Sequence, residues 1–237
     1  MDNIVTRFHL NAGPLHNQAK NYYYVNSKFH DSGITDAIPA ILFSAMSIEA
    51  FINELPELAT AYTTPEEEPE DFAKKLAALL TTVEKSNGQI QLKLLVTYIA
   101  ISGEPPKLGT KTYQNFVNLF KLRNELVHLK PQDEYDLDLD GDDSPSSKRK
   151  LVEKLKQSGL NIFREPSTYK DPAGTNKDCP LPLLELISTH HAAKWACNTA
   201  ANTVQEIVEK MPNSKLKDYL KRNYTNKYFQ LIESDLI

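Results

Sequence analysis

The sequence predicts an all-α fold, in which a helical bundle is followed by additional C-terminal helices. In several long segments, apolar residues recur at the three- and four-residue spacing that places them on one side of a helix. The chain holds 8 glycines against 14 prolines, whereas a β-rich fold needs more glycine for its many tight turns. A hydrophobic content of 41% and a charged content of 24% are ordinary for a globular protein of 237 residues.

Two helices are predicted in the N-terminal region, over about residues 15–30 and 35–61, with Gly33 in the break between them. Thr35 is a candidate N-cap of the second helix, and Pro56 is expected to kink that helix or to end it early. Because apolar residues lie on nearly all sides of the second helix, we expect it to be buried in a core or an interface.

Three further helices are predicted over about residues 70–86, 90–101 and 111–129. The short apolar segment 90–101 fits a helix or a strand by periodicity, and we predict a helix because nothing around it offers a partner strand. The last of the three helices has Thr110 as a candidate N-cap, and Pro131 is expected to end it.

The C-terminal region is predicted to be a helical extension, residues 148–237, that packs on a core formed by residues 1–131. An acidic loop, residues 132–147, is expected to join the two parts. Residues 163–182 are rich in Pro, Gly, Asp and Lys and are predicted to form a loop. Within the extension we expect three helical stretches, over about residues 148–158, 183–211 and 216–231.

The acidic loop contains Asp136, Asp138 and Asp140 before Gly141, a pattern that matches the opening of a calcium-binding loop. Ser147 stands where such a loop needs a bidentate glutamate, and Pro145 interrupts the pattern. We therefore interpret this segment as a solvated acidic loop, and we expect the protein to use no metal ion and no other cofactor.

Charge and cysteine content suggest the cellular setting. The net charge of -4 is not typical of a protein that wraps long nucleic acid, although a short contact with a few phosphates needs only a local basic cluster. The two cysteines, Cys179 and Cys197, provide no disulfide framework and no zinc-ligand spacing. No signal peptide is recognised, and the longest nearly apolar run, residues 37–46, is too short to span a bilayer. We expect a cytoplasmic protein with no membrane partner.

Arg123 and Glu49 are the first candidate functional residues. Arg123 falls by its spacing within the predicted apolar, buried stripe of the helix over residues 111–129. This stripe consists of Phe116, Leu119, Phe120, Leu126 and Val127. A guanidinium cannot lose its proton, so burying it without a partner is very costly. Glu49 falls within the apolar stripe of the second helix and is the expected partner. The pair fits two interpretations, an ion pair that fixes helix register or the support of a functional arginine.

His128 and Asn124 add to this pair. His128 lies one turn after Asn124, so the two side chains project from the same side of the helix. Arg123 lies five residues before His128, and its long side chain can reach round the helix. The negative end of a helix dipole favours a protonated imidazole, which suits a group that donates a proton. The alternative interpretation is that His128 only caps the helix.

Three weaker signals are interpreted as packing or solvated surface. His190 and His191 lack further metal ligands one turn later, because Lys194 and Trp195 stand there. The tyrosines of residues 22–24 could stack on bases, but helix packing is the simpler role. A basic strip is interpreted as a solvated face, with phosphate contact as its alternative; it consists of Lys148, Arg149, Lys150, Lys154, Lys156, Lys215, Lys217, Lys221 and Arg222.

The run Leu122-Arg123-Asn124-Glu125-Leu126-Val127-His128, followed by Lys130-Pro131, resembles the Arg-polar-xxx-His signature of HEPN domains. Upstream, the segment Ser47-Ile48-Glu49-Ala50-Phe51-Ile52-Asn53-Glu54 is similar to an early helix of that family. The resemblance covers about residues 15–131, and the region from Lys148 onward has no counterpart in it.

The resemblance implies a HEPN-like helical bundle that pairs as a homodimer, so that two motifs form one composite cleft. Many members are metal-independent endoribonucleases of toxin, defence or RNA-processing systems, which implies RNA as substrate and an antitoxin or a nucleotidyltransferase as a further partner. Carried over, Arg123 holds the phosphate, Asn124 orients it, Glu49 fixes Arg123, and His128 is the general acid or base for attack by the 2′-hydroxyl. The expected product ends in a 2′,3′-cyclic phosphate. The alternative is a non-catalytic HEPN module that binds a nucleotide or a protein partner.

Overall fold

The computed structural model describes residues 10–28, 37–62, 71–128, 147–157, 159–165, 168–170, 174, 176–178, 181 and 183–233. Most of these residues are helical, which confirms the all-α prediction. The helices are α1 (Ala12–Lys28), α2 (Ala37–Ala61), α3 (Asp71–Lys85), α4 (Ile90–Ser102), α5 (Lys111–Val127), α6 (Ser147–Gln157), α7 (Leu183–Ile187), α8 (His190–Lys210) and α9 (Lys215–Leu220). A π-helical turn, Lys221–Thr225, directly follows α9.

Helices α2 and α8 form the centre of the bundle. Helix α2 packs against α1, α3, α5 and α8, and α8 also packs against α1, α4 and α5. Helix α8 belongs to the predicted C-terminal extension, yet its buried face shares one apolar core with α2. The side chains with the largest volumes in this core include Phe51, Phe116, Phe120 and Phe229, all of them at most 2% exposed.

The apolar character of α2 is explained by its central position. Within the described residues, α2 is the one helix that is long and apolar enough to cross a membrane, but half of its most apolar stretch is buried in the bundle, as in core helices generally. Pro56 lies inside α2, and the helix continues past it to Ala61. Pro56 therefore does not end the helix early, which was one of the two expected effects of this proline. The predicted N-cap, Thr35, lies outside the described residues.

A buried carboxylate fastens the start of α1 to the bundle. Glu54 of α2 is only 8% exposed, and its Oε1 accepts hydrogen bonds from the backbone N–H groups of Asn11 and Ala12. Its Oε2 accepts a hydrogen bond of 2.8 Å from the Tyr224 hydroxyl. The first N–H groups of a helix have no partner within the helix, so Glu54 acts as a cap supplied by a neighbouring helix.

Most predicted helix boundaries agree with the structure to within about three residues, but two predictions are wrong. The last helical stretch, expected over residues 216–231, ends with the π-helical turn at Thr225. The single helix expected over residues 183–211 is two helices, α7 and α8, separated at Ser188 and Thr189. Thr189 is the N-cap of α8; its Oγ1 accepts from the Ala192 N–H at 3.0 Å and donates to the Ile162 carbonyl at 2.6 Å. The Thr189 side chain therefore caps the N-terminus of α8 and links it by a hydrogen bond to the segment that contains Ile162.

The segment predicted to be a loop over residues 163–182 contains a small hairpin. Strands β1 (Thr168–Lys170) and β2 (Asn176–Asp178) pair antiparallel, with Tyr169 opposite Lys177. The strands are three residues long, so the predominantly helical character of the described residues is unchanged.

Residues typical of helix ends stand at two of the observed boundaries. Thr110 is the N-cap of α5, as predicted, and its side chain accepts a hydrogen bond from the Tyr113 N–H. Gly103 ends α4 with φ +76°.

Candidate functional site

The candidate site lies at the C-terminal end of α5, where α5 meets α2. The Arg123 Nη2 atom lies 3.9 Å from Oε2 of Glu49, and Nη1 donates a hydrogen bond of 3.0 Å to Oδ1 of Asn124. The predicted contact between Arg123 and Glu49 is therefore confirmed. The guanidinium is held by one carboxylate and one amide, and it keeps further N–H donors for a ligand.

The expected burial of this pair is wrong. The side chains of Arg123 and Glu49 are 32% and 39% exposed, so the pair lies at the edge of the α2–α5 contact. Leu122 and Leu126 carry the buried face of α5 at this end, whereas Val127, which was predicted to be buried, is 54% exposed. The buried face of α5 therefore lies further from Arg123 around the helix than the predicted stripe did. As a result, the guanidinium is accessible to water.

Asn124 joins Arg123 to His128. Its side chain accepts from Arg123, and its backbone carbonyl accepts from the His128 N–H at 3.1 Å. His128 is the C-cap residue of α5, with φ -109° and ψ 29°, and it is exposed. Within the described part of the chain, its imidazole has no hydrogen-bond partner. The motif thus presents a guanidinium, an amide and an accessible imidazole on the last turns of one helix.

Exposed apolar side chains flank this cluster. Met46, which lies one turn before Glu49 on α2, is 42% exposed, and Val127 next to His128 is 54% exposed. Both side chains leave apolar surface in water next to the charged cluster. We call the surface formed by Met46, Glu49, Arg123 and Val127 the motif face.

Other reactive side chains do not form a competing site among the described residues. No group of three or more His, Cys, Asp or Glu residues there could hold a metal ion. The Cys197 thiol is buried, and burial raises its pKa to about 12, so a nucleophilic thiolate is disfavoured near neutral pH. Cys179 and the segment that resembles a calcium loop lie outside the described residues, apart from Ser147 at the start of α6.

The weaker sequence signals have structural roles where the structure describes them. Tyr23 is buried, and Tyr22 stacks on Phe43 with ring centroids 5.8 Å apart, which agrees with the packing interpretation. Lys217, assigned to the basic strip, is buried instead, and its Nζ donates to the carbonyls of Glu209 and Met211 at the end of α8. The strip is therefore not one continuous solvated face. The side chains of residues 148–150 lie outside the described part.

No protein-family model, curated protein or solved structure matches this chain. The chemistry of the candidate site therefore depends on its own residues. A partly exposed guanidinium can bind a phosphate in bidentate fashion, and an accessible imidazole can transfer a proton near neutral pH. Together these groups suit the cleavage of a phosphodiester.

Sequence reasoning missed one group of residues. Lys194 and Trp195, interpreted as packing residues, line a groove together with polar residues of α5. The available signal was the spacing of Lys111, Asn115 and Asn118, which places three polar side chains on one side of α5. That signal could not be used without knowing that α8 lies beside this part of α5.

Proposed function

We propose that the protein is a metal-independent endoribonuclease of the HEPN type, acting at a composite cleft between two copies of the chain. The observation that carries this proposal is the presence of a partly exposed Arg123, hydrogen-bonded to Asn124, and an exposed His128 at the same water-accessible helix end. Since the side chains of Arg123 and Glu49 are 32% and 39% exposed, a phosphate in solution can reach the guanidinium.

In the proposed reaction, a His128 imidazole takes the proton of a ribose 2′-hydroxyl, and the oxygen attacks the adjacent phosphorus. The bond from phosphorus to the 5′ oxygen of the next nucleotide breaks, and that oxygen leaves with a proton from a protonated imidazole. Arg123 neutralises charge that develops on the non-bridging phosphate oxygens, and Glu49 keeps the guanidinium in place. The products are a 2′,3′-cyclic phosphate and a 5′-hydroxyl.

A second copy of the chain would supply what one copy lacks. The reaction needs a base and an acid at the same time, and each motif holds a single histidine. Pairing of two motif faces would place a second His128 near the first and would remove Met46 and Val127 from water. The exposure of these two apolar side chains, 42% and 54%, supports such pairing.

The proposal is tested with purified protein and single-stranded RNA in excess EDTA. We expect cleavage by the wild type and its loss in the Arg123→Ala and His128→Ala variants, with unchanged circular dichroism. Lys121→Ala is the matched control, since Lys121 is exposed on the same helix outside the motif. If the wild type leaves RNA intact, or if His128→Ala cleaves at the wild-type rate, the nuclease proposal is wrong and a non-catalytic binding module is favoured.

A further inference from the structure

A polar groove of about 700 Å³ lies between the first half of α5, one side of α8 and the segment 159–162. Its volume falls within the range of roughly 300–1,000 Å³ that is typical of small-molecule sites. Among the described residues no acidic side chain lines the groove, although the whole chain carries a net charge of -4. The groove is thus locally more favourable to an anion than the average surface of this protein.

Amide side chains dominate the walls of this groove. They belong to Gln114, Asn115 and Asn118 of α5, Asn202 of α8 and Asn161 of the connecting segment. Within the described part of the chain, none of these five amides has a hydrogen-bond partner. Each amide offers both donors and an acceptor and is accessible to solvent, so this concave surface suits a ligand with mixed donors and acceptors.

The groove is held open by fixed elements. Leu160 and Ile162 are buried, and the Ile162 carbonyl accepts the 2.6 Å hydrogen bond from Thr189. Asn198, on the α8 wall, is already used, because its amide accepts from the Ile232 N–H at 2.8 Å and donates to the Ile232 carbonyl at 3.1 Å. Since the segment 159–162 and the α8 wall are anchored in this way, a ligand would meet a largely preformed site.

Trp195 adds an aromatic surface. Its side chain lines the groove, and its indole Nε1 is buried without an acceptor among the described residues. Because this nitrogen is enclosed, the indole offers the groove its ring surface. Lys111 lines the same groove and supplies a cation, and His191 adds an imidazole N–H donor.

We propose that this groove binds a nucleotide, with Lys111 and His191 contacting the phosphate and the amides of α5 and α8 contacting the edges of the base. A phosphate fits the cationic, acid-free lining. A base edge alternates donors and acceptors, as the amides do. The groove is lined by residues 111–118 of α5 and not by Arg123 or His128, so this site is separate from the motif face and independent of the nuclease proposal.

The test uses Trp195 as its reporter, because it is the sole tryptophan in the chain. Adenosine and guanosine 5′-monophosphate, the free nucleosides, ribose 5-phosphate and inorganic phosphate are titrated while tryptophan fluorescence is followed, with calorimetry as a second readout. At least one of the two nucleotides is expected to bind about tenfold or more tightly than its nucleoside and than ribose 5-phosphate. Lys111→Ala and Asn118→Ala are each expected to weaken binding about tenfold or more. Lys121→Ala and Arg123→Ala are expected to bind as the wild type does.

Three results would overturn the assignment. If neither nucleotide binds in calorimetry, the groove is not a nucleotide-binding site. Equal affinity for ribose 5-phosphate and for the nucleotides shows that the base is not recognised. Binding of a short RNA strand, without binding of any mononucleotide, assigns the groove to RNA instead. Because Arg123→Ala should abolish cleavage and leave nucleotide binding intact, failure of the nuclease proposal and failure of this one are distinguishable.

Discussion

The Arg123 guanidinium lies 3.9 Å from the Glu49 carboxylate, and about a third of each side chain is exposed to water. A partly exposed ion pair of this kind contributes roughly 0–1 kcal/mol to stability. The pair can therefore be disrupted without unfolding the protein, and any loss of activity can be assigned to the site.

The first prediction concerns this pair. Arg123→Ala and Glu49→Gln should each change the free energy of unfolding by less than about 1 kcal/mol, as measured by urea denaturation. RNA cleavage should fall by about 100-fold or more in Arg123→Ala, because the phosphate loses its cation. Glu49→Gln should have a smaller effect, about tenfold, since the arginine remains but is held less firmly. If these variants are destabilised by several kcal/mol and still cleave RNA at the wild-type rate, the Arg123–Glu49 pair has a purely structural role.

The second prediction concerns His16, which is fully buried and stacks on Phe229 with ring centroids 4.5 Å apart. Neither ring nitrogen has a hydrogen-bond partner among the described residues. Burial, assisted by the nearby Lys20 cation, lowers the pKa of His16 to about 3. The unfolded chain takes up this proton near pH 6.5 and the folded chain does not, so stability should fall as pH decreases from about 6.5 towards 3.

The His16 effect is measured as a difference between two proteins. Urea denaturation of the wild type should lose stability relative to His16→Phe by about 1.4 kcal/mol per pH unit between roughly pH 6 and pH 4. The difference in slope is independent of how well the larger ring packs, and carboxylates common to both proteins cancel. Parallel stability curves for the two proteins would show that His16 is protonated in the folded state or is not buried.

The third prediction concerns Glu54, whose carboxylate accepts from two backbone N–H groups and from Tyr224. Glu54→Ala removes the acceptor of the buried Ala12 N–H and of the buried Tyr224 hydroxyl and should cost about 3 kcal/mol or more, whereas Tyr224→Phe should cost about 1–2 kcal/mol. Glu57→Ala is the matched control, because Glu57 is exposed on the same helix. In a double-mutant cycle, the effects of Glu54→Ala and Tyr224→Phe on the free energy of unfolding should be non-additive. Additive effects would contradict the contact between Glu54 and Tyr224.

The fourth prediction compares two threonine N-caps. Thr189 accepts from Ala192 at 3.0 Å and donates to Ile162 at 2.6 Å. Thr110 accepts from Tyr113 at a longer distance of 3.4 Å, and its donor contact is to Lys107 within its own turn. Thr189→Ala should therefore destabilise the protein by about 2 kcal/mol and Thr110→Ala by about 1 kcal/mol or less. Equal thermal denaturation midpoints for the two variants would refute this difference.

The helices themselves were predictable because their apolar spacing and their end signals agree. Helix α5, for example, begins after Thr110 as predicted, and its buried Phe116, Leu119 and Phe120 follow the expected stripe. The division between α7 and α8 falls at four consecutive polar residues, Ser188 to His191, which a continuous helix can also carry on its exposed side. The break depends on a contact from Thr189 to Ile162, 27 residues earlier in the chain.

The candidate site was only partly predictable for a similar reason. Pairing of Arg123 with Glu49 followed from opposite charges at corresponding places in two apolar stripes, and it is confirmed. Their exposure depends on a small rotation of the buried face of α5, which places Leu122 inside and Val127 outside. The groove beside Trp195 depends on α5 and α8 being neighbours, a tertiary contact that no local pattern encodes.

The most direct test of the central claim is to identify the ends of RNA fragments by mass spectrometry after incubation in EDTA. The wild type is predicted to yield fragments ending in a 2′,3′-cyclic phosphate from RNA and none from the same sequence with 2′-O-methyl riboses, while His128→Ala yields none from either. Intact RNA with folded wild-type protein, fragments ending in a 3′-hydroxyl, or cleavage of the 2′-O-methyl strand would contradict the proposed reaction.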